Sequence, residues 1–370
     1  MESQDKKIRI GIVAGEQSGD QLGADLMRRI KLINPSVQFV GVGGSHMIEE
    51  GLNSFFDMEK ISVMGILEPL MNLKEILSLR KRLKEYLDSQ KIDLFIGVDS
   101  PDFNLSISRY FKEQDIKSVQ YVGPSIWAWR QGRIKTIEKS VDEVLTLFPF
   151  ESNSYKGSSV NVTFVGHPLA HSIKSLSKKD KRPNKKIVLM PGSRKSEILA
   201  HGKVFLETAR KIKESNNGYS FHMPLTDKTH IDLIEGLNAQ DWIEISYGNA
   251  KEILEEASLG FVSSGTASLE AALYGTPVII AYKTNWLSYY IIKPLLRVKS
   301  ISLPNLLSEK ELLPEFLQRE VNSENLLKGL NRVEDNYFTC LEEFERIHKS
   351  LQSEGPSSAA KRVLQIIKDK

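Results

Sequence analysis

LGFVSSGTASLEAAL, residues 259–273, runs apolar as far as Val262, breaks on small hydroxyl residues and a glycine, and resumes with helical spacing. A β-branched and aromatic run of this length reads as a strand, and the Ala-rich run after Thr266 reads as a helix. The turn between them, Ser263-Ser264-Gly265-Thr266, offers backbone N–H groups, the Ser264 and Thr266 hydroxyls and a helix N-terminus, which together suit a diphosphate. Glu270 lies one helical turn after Thr266 on the same face, where a carboxylate can accept hydrogen bonds from ribose hydroxyls. A plain Ser/Thr-capped helix would leave the same pattern, so this loop alone is only moderately specific.

The strand–turn–helix alternation extends in both directions from this segment. Strand runs stand at 8–14, 37–42, 92–98, 117–122, 143–148 and 160–165, and again at 187–190, 219–224, 242–246, 259–263 and 277–282. Helical runs separate them, the first from Asp20 to Ile33, with Asp20 read as its N-cap. Such alternation predicts βαβ units and mostly parallel sheets. The polar, basic stretch 172–186 with Pro183 reads as an interdomain linker. The expectation is therefore an α/β chain of two Rossmann-like parallel-sheet domains, residues 1–175 and 185–345, facing across a cleft. After residue 285 the pattern reads as helical to Lys370.

Ligands of such sheets bind beyond the carboxyl ends of the strands, so three further loops are candidates. Ala14-Gly15-Glu16-Gln17-Ser18-Gly19-Asp20 is not a dinucleotide fingerprint, because Glu16 and Asp20 would repel a pyrophosphate; Glu16 suits sugar hydroxyls, and Gly15 and Gly19 otherwise mark a tight turn. In Val98-Asp99-Ser100-Pro101-Asp102, Asp99 ends an apolar strand, where a carboxylate is costly unless it serves a cleft. Either aspartate can act as a general base, and position favours Asp99. Pro191-Gly192-Ser193-Arg194 joins a flexible glycine to a cation at a helix start, which points to phosphate.

The remaining composition narrows the classes. Fifty basic residues against 47 acidic ones leave a formal charge of +3, too balanced for a nucleic-acid binder on charge alone. The single cysteine, Cys340, excludes an internal disulfide and reads as an ordinary side chain in a reducing compartment. The seven histidines are dispersed and there is no Asp-x-Asp pair, so no metal is expected. The charged start of the chain does not read as a signal peptide, and no apolar run reaches the ~18 residues of a spanning helix. Residues 63–79, VMGILEPLMNLKEILSL, are apolar on more than one narrow stripe and are followed by Arg80, Lys81, Arg82 and Lys84. That combination suits an interfacial membrane helix, with Met64, Ile66, Leu67, Leu70 and Met71 as the contact, or else a buried core helix. Trp127 and Trp129 line an acyl or sugar site, or pack.

Taken in order, AGEQSGDQLGA (14–24), VGVGGSHM (40–47), MGILE (64–68), VDSPDFN (98–104), YVGPSIWAWR (121–130), VGHPL (165–169), LMPGSR (189–194), SSGTASLEAAL (263–273) and SLPNLL (302–307) resemble lipid-A-disaccharide synthases over roughly residues 8–310. The resemblance implies a GT-B fold and an inverting transfer that needs no metal or cofactor. It implies UDP-2,3-diacylglucosamine as donor, 2,3-diacylglucosamine 1-phosphate as acceptor, and a β-1,6-linked disaccharide and UDP as products, made on the cytoplasmic face of a Gram-negative-type inner membrane. Asp99 would carry the essential carboxylate. Gly192, Ser193, Arg194, Ser264, Gly265, Thr266, Glu270 and Asn305 would hold the donor, and Glu16, Ser18, Trp127 and Trp129 the acceptor. Residues 346–370 would form a C-terminal helix packing back on the first domain, and homodimers occur among related enzymes. Ser100 departs from the alanine of the family pattern. Two other readings use the same sheets: a UDP-N-acetylglucosamine 2-epimerase, and a non-catalytic lipid- or nucleotide-binding protein. The carboxylates of the first loop disfavour a nicotinamide dehydrogenase.

Overall fold

The computed structural model describes residues 7–62, 73–129, 131–173, 185–215, 218–263, 265–284, 289, 293–296, 298–352 and 358–369. The chain divides into two compact units, Met1–His171 with Leu351–Lys370, and Ser172–Ser350. Among the described residues no helix is long and apolar enough to cross a membrane. The predicted membrane-contact residues Met64, Ile66, Leu67, Leu70 and Met71 lie outside the described residues, as does most of the predicted linker.

In the first unit, seven described strands form one parallel sheet: β1 (Arg9–Ala14), β2 (Gln38–Val42), β3 (Leu52–Ser54), β4 (Leu94–Val98), β5 (Ser118–Tyr121), β6 (Glu143–Thr146) and β7 (Asn161–Phe164). Their order is β3-β2-β1-β4-β5-β6-β7. Strands β1 and β4 read as unbroken apolar runs because helices cover both faces, which a parallel sheet requires. Val13, Leu83, Leu87, Phe95, Phe103 and Phe111 make the core on one side. The helix Ser358–Lys368 belongs to this unit and packs on the helix Gln17–Ile33. It buries Ala359, Ala360, Val363 and Leu364, and Arg362 grips the buried Glu143 carboxylate with Nε and Nη2, both at 2.7 Å.

The second unit repeats the plan with β8 (Lys186–Met190), β9 (Ser220–Leu225), β10 (Ile243–Tyr247), β11 (Leu259–Ser263), β12 (Val278–Tyr282) and β13 (Glu315–Leu317), ordered β10-β9-β8-β11-β12-β13 and parallel throughout. The helix Lys195–Glu214 buries Ile198, Phe205 and Leu206 against this sheet. Each such side chain contributes about 2 kcal/mol on burial, against ~1 kcal/mol for a helix cap, so its apolar face decides where this helix lies.

Three sequence expectations need correction. The chain after residue 285 is not uniformly helical: Glu315–Leu317 adds an edge strand on β12. Three residues are too few to show a period-2 pattern, and the strand exists only through its neighbour. The short strand β3 was missed for the same reason. The first long helix starts at Gln17 with Glu16 as its N-cap, so Asp20 lies inside it. Asp20 caps a different helix. It is only 2% exposed, and its carboxylate accepts the N–H groups of Gly44, His46 and Met47 at 2.7–3.1 Å, at the start of the helix Ser45–Glu49.

Candidate active site

Each sheet reverses its strand order once. In the first unit the reversal falls between β1 and β4, in the second between β8 and β11. A ligand crevice opens where neighbouring strands send their connections to opposite faces. All four loops singled out above stand at these two places.

In the first unit the two loops touch. A Cβ on Gly15 would come within 2.6 Å of the Ser100 hydroxyl, and one on Gly19 within 3.7 Å of the Asp99 Cβ. Glu16, Ser18, Asp99 and Ser100 are half-buried. Asp99 and Ser100 both take left-handed backbone conformations, φ +50° and +40°. Non-glycine residues in that region cost ~1–3 kcal/mol and need the surroundings to hold them there. Here the Asp99 N–H donates to the Tyr121 carbonyl at 2.9 Å. Its own carbonyl accepts two side-chain amides, Asn104 Nδ2 and Gln120 Nε2, each at 2.9 Å. Asn104 Nδ2 also reaches the Val13 and Val98 carbonyls, so one buried amide ties the ends of β1 and β4 together. Neither amide was singled out from sequence. The available signal was a Gln inside an otherwise apolar strand and an Asn on the buried face of a helix.

Asp102 differs from Asp99. It is exposed, its carboxylate pairs with Arg133, and its carbonyl receives Arg80. Trp127 and Trp129 are both half-buried; Trp127 meets the Phe150 ring edge-to-face at 5.0 Å.

In the second unit the register pairs Met190 with Val262, which makes the Pro191–Arg194 and Ser263–Thr266 turns neighbours. Gly192 has φ +129°, and a Cβ there would lie 2.4 Å from the Glu197 Cβ, so only glycine fits. Glu197 Oε2 accepts the Ser193 and Arg194 N–H groups at 2.8 and 3.3 Å, and Arg194 Nη1 approaches Glu197 Oε1 at 3.5 Å. Ser193 and Arg194 remain exposed, as do Gly265 and Thr266 at the start of the helix Thr266–Leu273; Ser264 lies outside the described residues. Glu270 is half-buried one turn on, and burial pushes its carboxyl above the usual range.

Two further side chains order these loops. His201, buried in the helix Lys195–Glu214, directs Nδ1 to the Pro191 and Glu197 carbonyls at 3.0 and 2.8 Å, while Nε2 receives the Lys283 N–H at 2.9 Å. Two acceptors on one nitrogen and a donor on the other define the neutral Nδ1–H tautomer. Asn305 is buried; its Nδ2 donates to the Leu313 carbonyl and to Glu315 Oε1, and its Oδ1 accepts the Leu313 N–H. Glu315 also accepts from the Ile301 and Ser302 backbone N–H groups and the Ser302 hydroxyl. Asn305 thus braces the 301–315 segment, a role that its motif did not reveal. No group of three or more His, Cys, Asp or Glu side chains suited to a metal occurs among the described residues.

Solved structures place the fold. A UDP-GlcNAc 2-epimerase from Neisseria meningitidis, solved with UDP-GlcNAc, superposes with TM-score 0.65 at 11% identity, covering 98% of this chain and all of that one. The glycotransferase of kitacinnamycin superposes equally well, TM-score 0.65 at 13% identity, over 98% and 100%. At such identities the likeness concerns the two-sheet architecture, which epimerases and transferases share. Sequence relatives discriminate. A lipid-A-disaccharide synthase of Idiomarina loihiensis is 39% identical, over 97% of this chain and 98% of its own length. One of Pseudomonas putida is 40% identical, over 98% and 100%. The profile of the lipid-A-disaccharide synthetase family matches residues 10–364. With the candidate loops of both units inside that match and the relatives aligned over nearly their whole length, the chain belongs to the lipid-A-disaccharide synthetase family, glycosyltransferases of GT-B fold that act in lipid A biosynthesis.

Proposed function

We propose that Asp99 is the general base of an inverting transfer in which the 6-hydroxyl of 2,3-diacylglucosamine 1-phosphate attacks the anomeric carbon of UDP-2,3-diacylglucosamine. The new C–O bond forms as the bond to UDP breaks, and the hydroxyl proton passes to the Asp99 carboxylate. The observation that carries this reading is the held, left-handed Asp99 at the end of β4, which costs energy that an ordinary turn would avoid. Glu16, Ser18, Trp127 and Trp129 serve the acceptor. The Gly192–Arg194 and Gly265–Thr266 turns, with Ser264, hold the diphosphate, where helix N-termini and Arg194 stabilise the leaving charge. Glu270 takes the ribose, and Asn305 shapes the donor side by holding residues 301–315.

The substrates carry acyl chains, which agrees with a surface-bound enzyme. Met64, Ile66, Leu67, Leu70 and Met71, followed by four cations, supply the membrane contact on the cytoplasmic face. Incubation with both acylated substrates, read by mass spectrometry, should yield one disaccharide and UDP; no disaccharide would reject the reading. Asp99→Ala should abolish turnover while UDP binding persists, and a near-normal rate would remove Asp99 as the base. Liposome flotation of a Leu70→Glu/Met71→Glu variant should fail where the parent floats.

A further inference from the structure

A second carboxyl is buried along the same sheet edge as Asp99. The strand register pairs Val98 with Tyr121 and Tyr121 with Leu145, so Asp99, Val122–Gly123 and Thr146–Leu147 stand side by side at the carboxyl edge of the sheet. Under this edge, on the 3-10 segment Pro149–Tyr155, sits Glu151, only 2% exposed. Its Oε1 accepts the Leu147 and Phe148 N–H groups at 3.1 and 2.9 Å. Its Oε2 occupies the place where a Gly123 side chain would begin: a Cβ there would be 2.5 Å from Oε2, 3.3 Å from Thr146 Cγ2 and 3.5 Å from the Tyr155 hydroxyl. The Tyr155 hydroxyl and Thr146 Oγ1 are themselves buried without a hydrogen-bond partner among the described residues. This is a closed polar nest next to the candidate base, and no sequence motif announced it.

We infer that Glu151 is a positioning residue that carries a proton on Oε2 beside Asp99, and so keeps Asp99 the single anion at the ends of β4, β5 and β6. Two N–H donors face Oε1, so the proton belongs on the other oxygen. Burial pushes the Glu151 carboxyl up to about 8; the Phe148 and Leu147 amides pull it down, and the Asp99 charge raises it. Among the described residues, the titratable groups around it are Asp99 from the end of β4, Tyr155 from its own segment, and His167, whose ring lies 5.8 Å from that of Phe148. Burial, with His171 beside it, pushes His167 down to about 4, so it brings no neutralising charge at neutral pH. Glu143, on β6, is paired with Arg362. None of these side chains favours ionised Glu151; only the two backbone N–H groups do, and burial outweighs them. Once ionised, it would set a second carboxylate along the same sheet edge, and the two charges repel. It would also add negative charge where, on the transferase reading above, two phosphate-bearing substrates must enter.

The test is the pH profile of kcat/KM for the disaccharide-forming reaction from pH 6 to 10. The parent should lose about tenfold per pH unit above ~8, and Glu151→Gln, the same shape with no charge, should retain most of the neutral-pH rate and lose that alkaline limb. A merely structural glutamate would leave the limb in place in Glu151→Gln, and that result overturns the inference. Should Glu151→Gln not fold, a 13C titration of the Glu151 carboxyl in the parent decides: a midpoint near 8 supports the inference, one below 6 overturns it. The titration needs no turnover. Absence of disaccharide from the parent would therefore refute the transferase reading while leaving the protonated Glu151 separately tested.

Discussion

The Asn104 side-chain amide donates to the Asp99 carbonyl at 2.9 Å while reaching the carbonyls that end β1 and β4. One buried side chain thereby sets the conformation of the candidate base and the spacing of the two strands that bracket it. Asn104→Ala leaves these carbonyls short of a buried donor, at a cost of ~1–3 kcal/mol in stability. Released from its left-handed turn, Asp99 loses its aim, and kcat should fall by about 10²-fold. UDP binding, which the proposed function assigns to the other unit, should be unchanged. Calorimetry with UDP beside steady-state kinetics checks both halves; weakened UDP binding would count against this division.

Gly192→Ala should act in the opposite place. The added Cβ meets the Glu197 Cβ at 2.4 Å and carries a φ of +129° that L-residues rarely adopt. The turn must shift, which costs ~1–3 kcal/mol and moves the Ser193 and Arg194 N–H groups. The donor KM should rise by about tenfold with the acceptor KM unaltered, as read from two-substrate kinetics.

His201 makes the second unit acid-sensitive. Burial holds its imidazole below the ordinary value, and a proton on Nε2 would face the Lys283 N–H donor head-on. The folded state therefore prefers neutral His201, while the unfolded chain takes up a proton below ~6.5. Its contribution is complete above that pH and is lost as pH falls through 6.5 toward the depressed folded value. His167, pushed down to about 4, responds in the same direction over the same window. Urea midpoints between pH 7 and 5 should fall for the parent and fall less for His201→Gln, whose side-chain oxygen can still accept the Lys283 N–H. Equal slopes would show that His201 does not titrate on unfolding.

Arg362 and Glu143 give a stability prediction for the first unit. Arg362→Ala strands a carboxylate that is 3% exposed, with the Thr163 hydroxyl as its other side-chain partner among the described residues. The guanidinium is partly exposed, so the loss should be roughly 3 kcal/mol, the low end for removing one partner of a buried pair. Replacing both residues with apolar ones of similar size should recover most of it. Chemical denaturation of the three variants measures this directly.

Cys340 should be inert. It is buried, and burial pushes its thiol up to about 11, so little thiolate exists at neutral pH. Maleimide should label it only in denaturant. Rapid labelling of the folded protein would mean that the Tyr337–Leu351 helix opens readily.

How much was legible follows from what each feature depends on. The alternation of strands and helices, the two parallel sheets and the four loops at the strand ends came from the residues themselves, because buried strands read as continuous apolar runs and turns must carry glycine or capping side chains. The motif order was enough to resemble the family. The edge strand Glu315–Leu317 was not readable, since a three-residue strand has no period and forms only against β12. Asp20 looked like a cap for its own helix because proximity in sequence was the only guide, and it caps a helix 25 residues on. Glu151, His201 and Glu315 carried no signal, for a polar residue in an amphipathic segment reads as surface until its partners are known. Local sequence determines which elements form and which side chains their loops offer. Only the tertiary structure decides which buried polar groups meet, because those partners come from distant stretches, 219 positions apart for Arg362 and Glu143, and an unpaired buried charge is too costly for their meeting to be left to chance.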